Sequence, residues 1–281
     1  MVHESPRRAA LRRFMAHRTA MVGLVVVLAF ILIAVAAPLV ARDSPDATSW
    51  TAIRKAPSLI HWMGTDENGR DVFSRVVYGA RASLLAGVVA VAIAAGIGVP
   101  VGLLAGFLGG LVDALVGRLV DAMLAVPFLI LAIALAAFLG PSLTNAMIAI
   151  GVAAAPVFQR VSRAAALDVA TNDYVEAARA LGNPPWRVAM RHVLPNIMPP
   201  VLVQCTLAVA SAIIAEASLS FLGLGQQPPA PSWGSMLNSA QQFLTQAPWL
   251  AIFPGAAIFL AVLSFNLVGD GLRDALDPRR R

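Results

Sequence analysis

Charge is scarce in this sequence: 13% of its 281 residues are charged, against 58% hydrophobic. A soluble fold of that composition could not cover its surface with polar groups, so the chain reads as a membrane protein. Lysine is almost absent, with Lys55 the only one, and the formal net charge of +6 comes from arginines in short clusters. Without a continuous basic face interleaved with aromatic or hydroxyl side chains, nucleic-acid binding is excluded, and the clusters suit membrane flanks instead. The same scarcity excludes a standard phosphate cradle, which needs Gly-x-x-x-x-Gly-Lys-Ser/Thr, because Lys55 follows Arg54. The single cysteine, Cys205, lies in an apolar run, which excludes an intramolecular disulfide and any multi-cysteine metal site. His3, His17, His61 and His192 lack ligand spacing, so no metal site and no His-assisted catalytic set is expected.

What the sequence has in abundance is long apolar runs. Bilayer hydrocarbon takes about 20 helical residues, and Met21–Val40 meets that length without a charge. It is longer than a signal-peptide core and is read as a retained signal anchor. Further runs cover Ala82–Val112 and Ala122–Phe158, the latter split into two antiparallel spans by the turn Gly140–Asn145. Pro199–Leu222 and Pro248–Val268 follow, giving an all-α protein of six spans. Arginine placement puts both ends and the segment from Arg160 to Arg191 in the cytoplasm. Residues 1–20 are then an inside segment, 21–40 the first span and 41–81 an outside loop with an amphipathic helix. Residues 82–270 form the core, holding an inside loop at 159–198 and an outside loop at 223–247, and 271–281 are an inside tail.

The inside loop contains "DYVEAARALGNPPWRVAMRHVLPN", Asp173–Asn196. Asp173 and Glu176 have capping-box spacing for a helix starting at Tyr174, and Gly182 supplies a stop. Pro184 or Pro185 opens a second short helix through Arg191, which "LPN" ends. Helices this short are marginal in water and need something to dock against. Either the first enters a groove on another protein, with Val175 and Leu181 as apolar anchors and Glu176 and Arg179 as polar pins, or both pack beneath their own bundle.

"EAARALG" followed by "RHVLPN" resembles the cytoplasmic EAA loop of ABC importer permeases. "GTDENGRDVFSRVVYGARASL", "RLVDAMLAVPFLILAIAL" and "AEASLSFLGLGQQPPAPSWGSML" are similar to the C-type permease of the dipeptide, oligopeptide and nickel branch. The resemblance implies a type I importer (MetI-like) fold in a bacterial or archaeal cell membrane. It also implies a heterodimer with a B-type permease, two cytoplasmic ATPases and an extracytoplasmic substrate-binding protein. By that resemblance Glu176, Ala177, Ala178 and Gly182 belong to the coupling helix, and with Tyr174, Val175, Arg179 and Leu181 of the same short helix they are the expected ATPase-coupling residues. The chain itself is then non-catalytic and binds no cofactor, with ATP and Mg2+ held by the ATPase subunits. Peptide cargo is expected first, nickel or another small solute as the alternative. A self-contained secondary transporter or channel is the rival from outside the family.

Four glycines at four-residue spacing, Gly98, Gly102, Gly106 and Gly110, form a stripe expected to let another helix approach closely. Glu216, with Ser220 one turn on, is a candidate for the translocation path or for a structural hydrogen bond to the partner permease, since charge inside a membrane needs a partner or a water-lined route. Asp113, Arg118 and Asp121 suggest a local salt bridge. Gly64–Arg81 reads as an amphipathic helix on the outer membrane surface, its charges a solvated face.

Overall fold

The computed structural model describes residues 6–276; His3 and the basic tail Arg279–Arg281 lie outside the described residues. The described chain is helical, with no strand among the described residues. After α1 (Pro6–Ala16), α2 (Arg18–Val35) stops where Pro38 opens the short α3 (Ala37–Val40), because proline cannot continue the hydrogen-bond ladder of the preceding turn. An irregular stretch leads to α4 (Val72–Leu108), whose N-cap Asp71 accepts from the Ser74 amide at 2.8 Å.

Two expectations change at α4. The amphipathic segment is not a separate helix on a membrane surface: Gly64–Asp71 is irregular, and Val72–Arg81 forms the first turns of one 37-residue helix. Nothing between the Asp71 cap and Gly109 breaks it, since Pro100 is accommodated within the helix. Nor are most of its charges solvated, although Arg81 is exposed. Asp66, Arg70, Asp71 and Arg75 are buried, with Arg70 Nε donating to Asp66 Oδ2 at 2.6 Å and Arg75 to the Pro45 carbonyl at 2.8 Å. Buried charges persist when paired in this way.

Gly109 and Gly110 end the helix with φ of 65° and 57°, a conformation that glycine enters without steric cost. The chain continues as α5 (Gly110–Leu124) and, after a 90° bend before Pro127, as α6 (Phe128–Leu139). The third span, expected to start at Ala122, therefore begins at Gly110 and is broken rather than straight. The turn predicted at Gly140 is present: Asn145 Nδ2 donates to the Leu139 and Gly140 carbonyls at 2.8 and 3.0 Å, and Ser142 caps α7 (Leu143–Ala170).

Beyond it lie α8 (Asp173–Ala180), α9 (Pro185–Val188), α10 (Leu194–Phe221), α11 (Trp233–Ala240) and α12 (Trp249–Leu276). A π-turn at Ala189–Val193 joins α9 to α10, so "LPN" does not end the second short helix as expected. Widening the helix there makes room for the Pro195 ring, and Asn196 Nδ2 donates to the His192 carbonyl at 2.7 Å.

Close approaches at glycines fix the topology. Side-chain carbons on Gly98, Gly102 and Gly106 would strike α7 near Phe158, Ser162 and Arg163, with a register that advances four residues on both helices. α4 and α7 therefore run parallel, and α5–α6 is the return between them. Gly110 takes no part in this stripe: open space surrounds it, and it serves the turn instead. Gly23 against Leu267 and Gly271 against Ala20 pair α2 antiparallel with α12, and Gly269 against Thr206 pairs α12 with α10. Residues 41–71 and α11 gather at one end, the head; α8 and α9 gather at the other, the foot. Four described helices are long and apolar enough to cross a membrane, and the bent α5–α6 pair brings the number to five. α7 is not among them; Arg160 and Arg163 lie in its second half.

Candidate coupling face and central cavity

At the foot, α8 is built as a short, firmly ended helix. Its N-cap is Asn172, not Asp173, and no side-chain capping bond is present, so the expected capping box does not form. Asn172 Nδ2 turns back to the Val169 carbonyl at 3.1 Å, satisfying the end of α7 instead. The C-terminus follows expectation. Gly182 (φ 76°) donates to the Arg179 carbonyl at 2.9 Å, while the Asn183 backbone amide and Nδ2 reach the Ala178 carbonyl at 3.4 and 2.9 Å, a Schellman arrangement that needs a left-handed residue.

α8 rests on its own bundle. Val175 is 0% exposed and Ala178 is buried in the core shared with α4, α7 and α10. The Arg179 guanidinium lies 4.8 Å from the Phe107 ring centroid at the end of α4, a cation–π contact worth about 0.5–1 kcal/mol at an exposed site. Val175 is thus an inward anchor and not a knob for another protein. Tyr174, Glu176, Ala177 and Leu181 face outward, Leu181 at 83% exposure. Trp186, 65% exposed just beyond, extends this face and was not singled out from sequence, although an aromatic after two prolines in a polar loop is a signal of surface use.

Above α8, Arg163 on α7 forms a two-pronged pair with Asp113 on α5 (Nη2 to Oδ2, 2.6 Å), and Arg160 pairs with Asp121 at 2.6 Å. The acidic partners predicted to bridge locally are therefore bound across helices. These pairs tie the foot half of the broken span to the helix that leads directly into α8.

Between α4, the α5–α6 bend, α7 and α10 lies an apolar cavity of about 390 Å3, lined by Phe128, Leu131, Phe158, Ala208 and, as polar members, Gln204 and Ser211. Glu216 is elsewhere. It is 0% exposed and accepts from Ser83 Oγ of α4 at 2.9 Å and Ser220 Oγ at 2.6 Å. The Trp233 amide in turn donates to Ser83 Oγ at 3.3 Å, and the Gln226 amide to Ser220 Oγ at 3.0 Å. Neither Glu216 nor Ser220 opens onto the cavity, and their partners lie in this chain; they lock α10, α4 and the head loop together. Two serine hydroxyls donating to Glu216 offset part of the cost of its burial.

Residues 98–281 match the family described as the binding-protein-dependent transport system inner membrane component, and residues 5–57 match the N-terminal TM domain of oligopeptide transport permease C. The chain is 46% identical to the dipeptide transport system permease protein DppC of Alkalihalophilus pseudofirmus, over 99% of this chain and 91% of the relative. It is 46% identical to the probable D,D-dipeptide transport system permease protein DdpC of Escherichia coli K12, over 91% and 86%. It is 45% identical to the glutathione transport system permease protein GsiD of Escherichia coli O1:K1 / APEC, over 95% and 89%. Among solved structures, the inward-facing MetNI methionine ABC transporter aligns with TM-score 0.60 at 22% identity, covering 72% of this chain and 96% of that one, a likeness of fold. With its all-helical bundle, broken span and matching family assignments over both halves, the chain belongs to the binding-protein-dependent transport system inner membrane components, the permeases of ABC importers.

Proposed function

We propose that this permease imports short peptides, forming half of the translocation path with a B-type permease and receiving force from two ATPase subunits through α8. Peptide cargo is favoured because the relatives similar over nearly the whole chain carry the names of dipeptide, D,D-dipeptide and glutathione transporters. An extracytoplasmic binding protein delivers the cargo at the head. On this reading the chain crosses the membrane six times, α7 included, with both ends cytoplasmic and the foot inside. The partition stays as the sequence suggests, except that the helix within residues 41–81 is the start of α4. The apolar cavity contributes this subunit's wall of the path. No ATP or Mg2+ binds here; the ATPases hold both.

The observation that carries the coupling role is the two-sidedness of α8. Val175, Ala178 and Arg179 seat it on α4 and α7, while Tyr174, Ala177 and Leu181 remain free to meet a second protein. A push on the outer face therefore reaches α7 and, through Arg163 and Arg160, the broken span. Nucleotide can shift the path only by favouring one arrangement of this contact over another.

In vesicles holding both permeases and both ATPases, with the binding protein supplied, Ala177→Trp and Leu181→Asp are expected to cut peptide uptake at least about tenfold, the loss of 1.4 kcal/mol or more of coupling, while the permease still assembles in the membrane. Uptake at the parental rate in both variants, or uptake without ATPases, would end the proposal.

A further inference from the structure

Three side chains far apart in sequence meet at the head. Asp43 follows α3, His61 lies in the irregular stretch before α4, and Asp71 is the α4 N-cap. Their ligand atoms all lie within 4.8 Å of one another, with His61 Nδ1 at 3.0 Å from Asp71 Oδ1. Asp71 is 3% exposed, and its two oxygens are divided between tasks. Oδ2 accepts from the Ser74 amide and hydroxyl at 2.8 and 2.9 Å, which leaves Oδ1 directed at His61. The Asp43 backbone is held by the same serine, its amide donating to Ser74 Oγ at 3.2 Å. The loop carrying His61 is pinned by Arg42, which donates to the Leu59 and Ile60 carbonyls at 3.1 and 3.0 Å and lies 4.8 Å over the Trp62 ring.

Two carboxylates this close repel, and the imidazole offsets at most one of the two charges, and only when protonated. A divalent cation offsets both. One imidazole nitrogen and two carboxylate oxygens are a donor set for borderline first-row ions; there is no thiolate for a soft ion, and magnesium takes oxygen donors. Ligands about 2.0–2.2 Å from tetrahedral zinc lie about 3.3–3.6 Å apart, a few tenths of an ångström more than the 3.0 Å between His61 Nδ1 and Asp71 Oδ1, so the pair has only to part slightly to admit the ion.

We propose that Asp43, His61 and Asp71 form a divalent-cation site of the zinc type. The ion replaces the proton between Nδ1 and Oδ1, the imidazole keeps its remaining proton on Nε2, and water completes the shell on the exposed Asp43 side. The site clamps the segment after α3 to the first turn of α4, joining two membrane helices at the head through a 31-residue connection, 41 to 71.

The test is a titration of the full-length, chelator-stripped permease in detergent with Zn2+, in competition with a chromophoric chelator. One tight equivalent per chain and a raised thermal unfolding midpoint are expected. Asp43→Asn and His61→Ala should each weaken that equivalent by more than the roughly 10- to 100-fold typical of losing an outer-shell partner, while His192→Ala, at the foot, leaves it unchanged. Asp43→Asn removes a charge from an exposed side chain and keeps the amide bond to Ser74, so helix content measured by circular dichroism should match the parent. No tight equivalent in the parent chain, or parental affinity kept in either Asp43→Asn or His61→Ala, overturns the site.

Discussion

Glu216 shows what a single residue can signal and what it cannot. A carboxylate in an apolar run is costly unless partnered, so the sequence marks it as special. Its partners do not follow from spacing alone: Ser83 is 133 positions away, and only the antiparallel packing of α4 on α10 brings the hydroxyl to 2.9 Å. Because the side chain faces its own subunit's interior, Glu216→Gln is expected to retain uptake of the parental range of peptides; a changed substrate range would place it in the path. Ser220→Ala removes a donor to Glu216 and an acceptor for the Gln226 amide. It should lower stability by about 1–2 kcal/mol, within the cost of an unmet buried group, read as a lower midpoint for thermal unfolding in detergent.

At the scale of elements, the glycine stripe is the contact that sets the core. Three of its members place α4 against α7 so closely that backbone meets backbone, and a methyl group on Gly102 would sit 2.8 Å from Ser162 Cβ. Gly102→Ala is expected to cost about 1–3 kcal/mol as an overpacked core position. Gly117→Ala on α5, where nothing lies within 4 Å, should be neutral or stabilise by up to about 1 kcal/mol through helix propensity. Parallel unfolding curves of the two variants check this contrast. Equal behaviour would mean that α4 and α7 do not pack through glycine. The spacing rule found the stripe but extended it to Gly110, since a period of four carries no mark of where the helix stops; two successive positive-φ glycines decide that.

For the whole molecule, the chain leaves much apolar surface open, including Leu39, Phe138 and Leu111, which lipid or a second permease has to cover. At the α5–α6 bend a broken backbone borders the apolar cavity, and irregular backbone at membrane depth is tolerated where it is buried in protein or lines a cavity. Filling it through Ala208→Trp is expected to reduce peptide uptake at least several-fold while the assembled complex keeps its ATP hydrolysis. Unchanged uptake with the indole in place would remove the cavity from the path.

The linear sequence by itself determined the membrane character, the approximate extent of the apolar runs, the Gly182 stop and the family, because composition, run length and local motifs are properties of neighbouring residues. Tertiary structure alone decided that α4 runs unbroken from Asp71, that Val175 faces inward, that Asp113 and Asp121 reach α7, and that His61 meets two aspartates. Each of these depends on which helix lies beside which. That follows from close approach at small residues, whose spacing marks the stripe but not the helix it meets, and from pairing of charges across long stretches of chain, which leaves no periodic trace in the sequence.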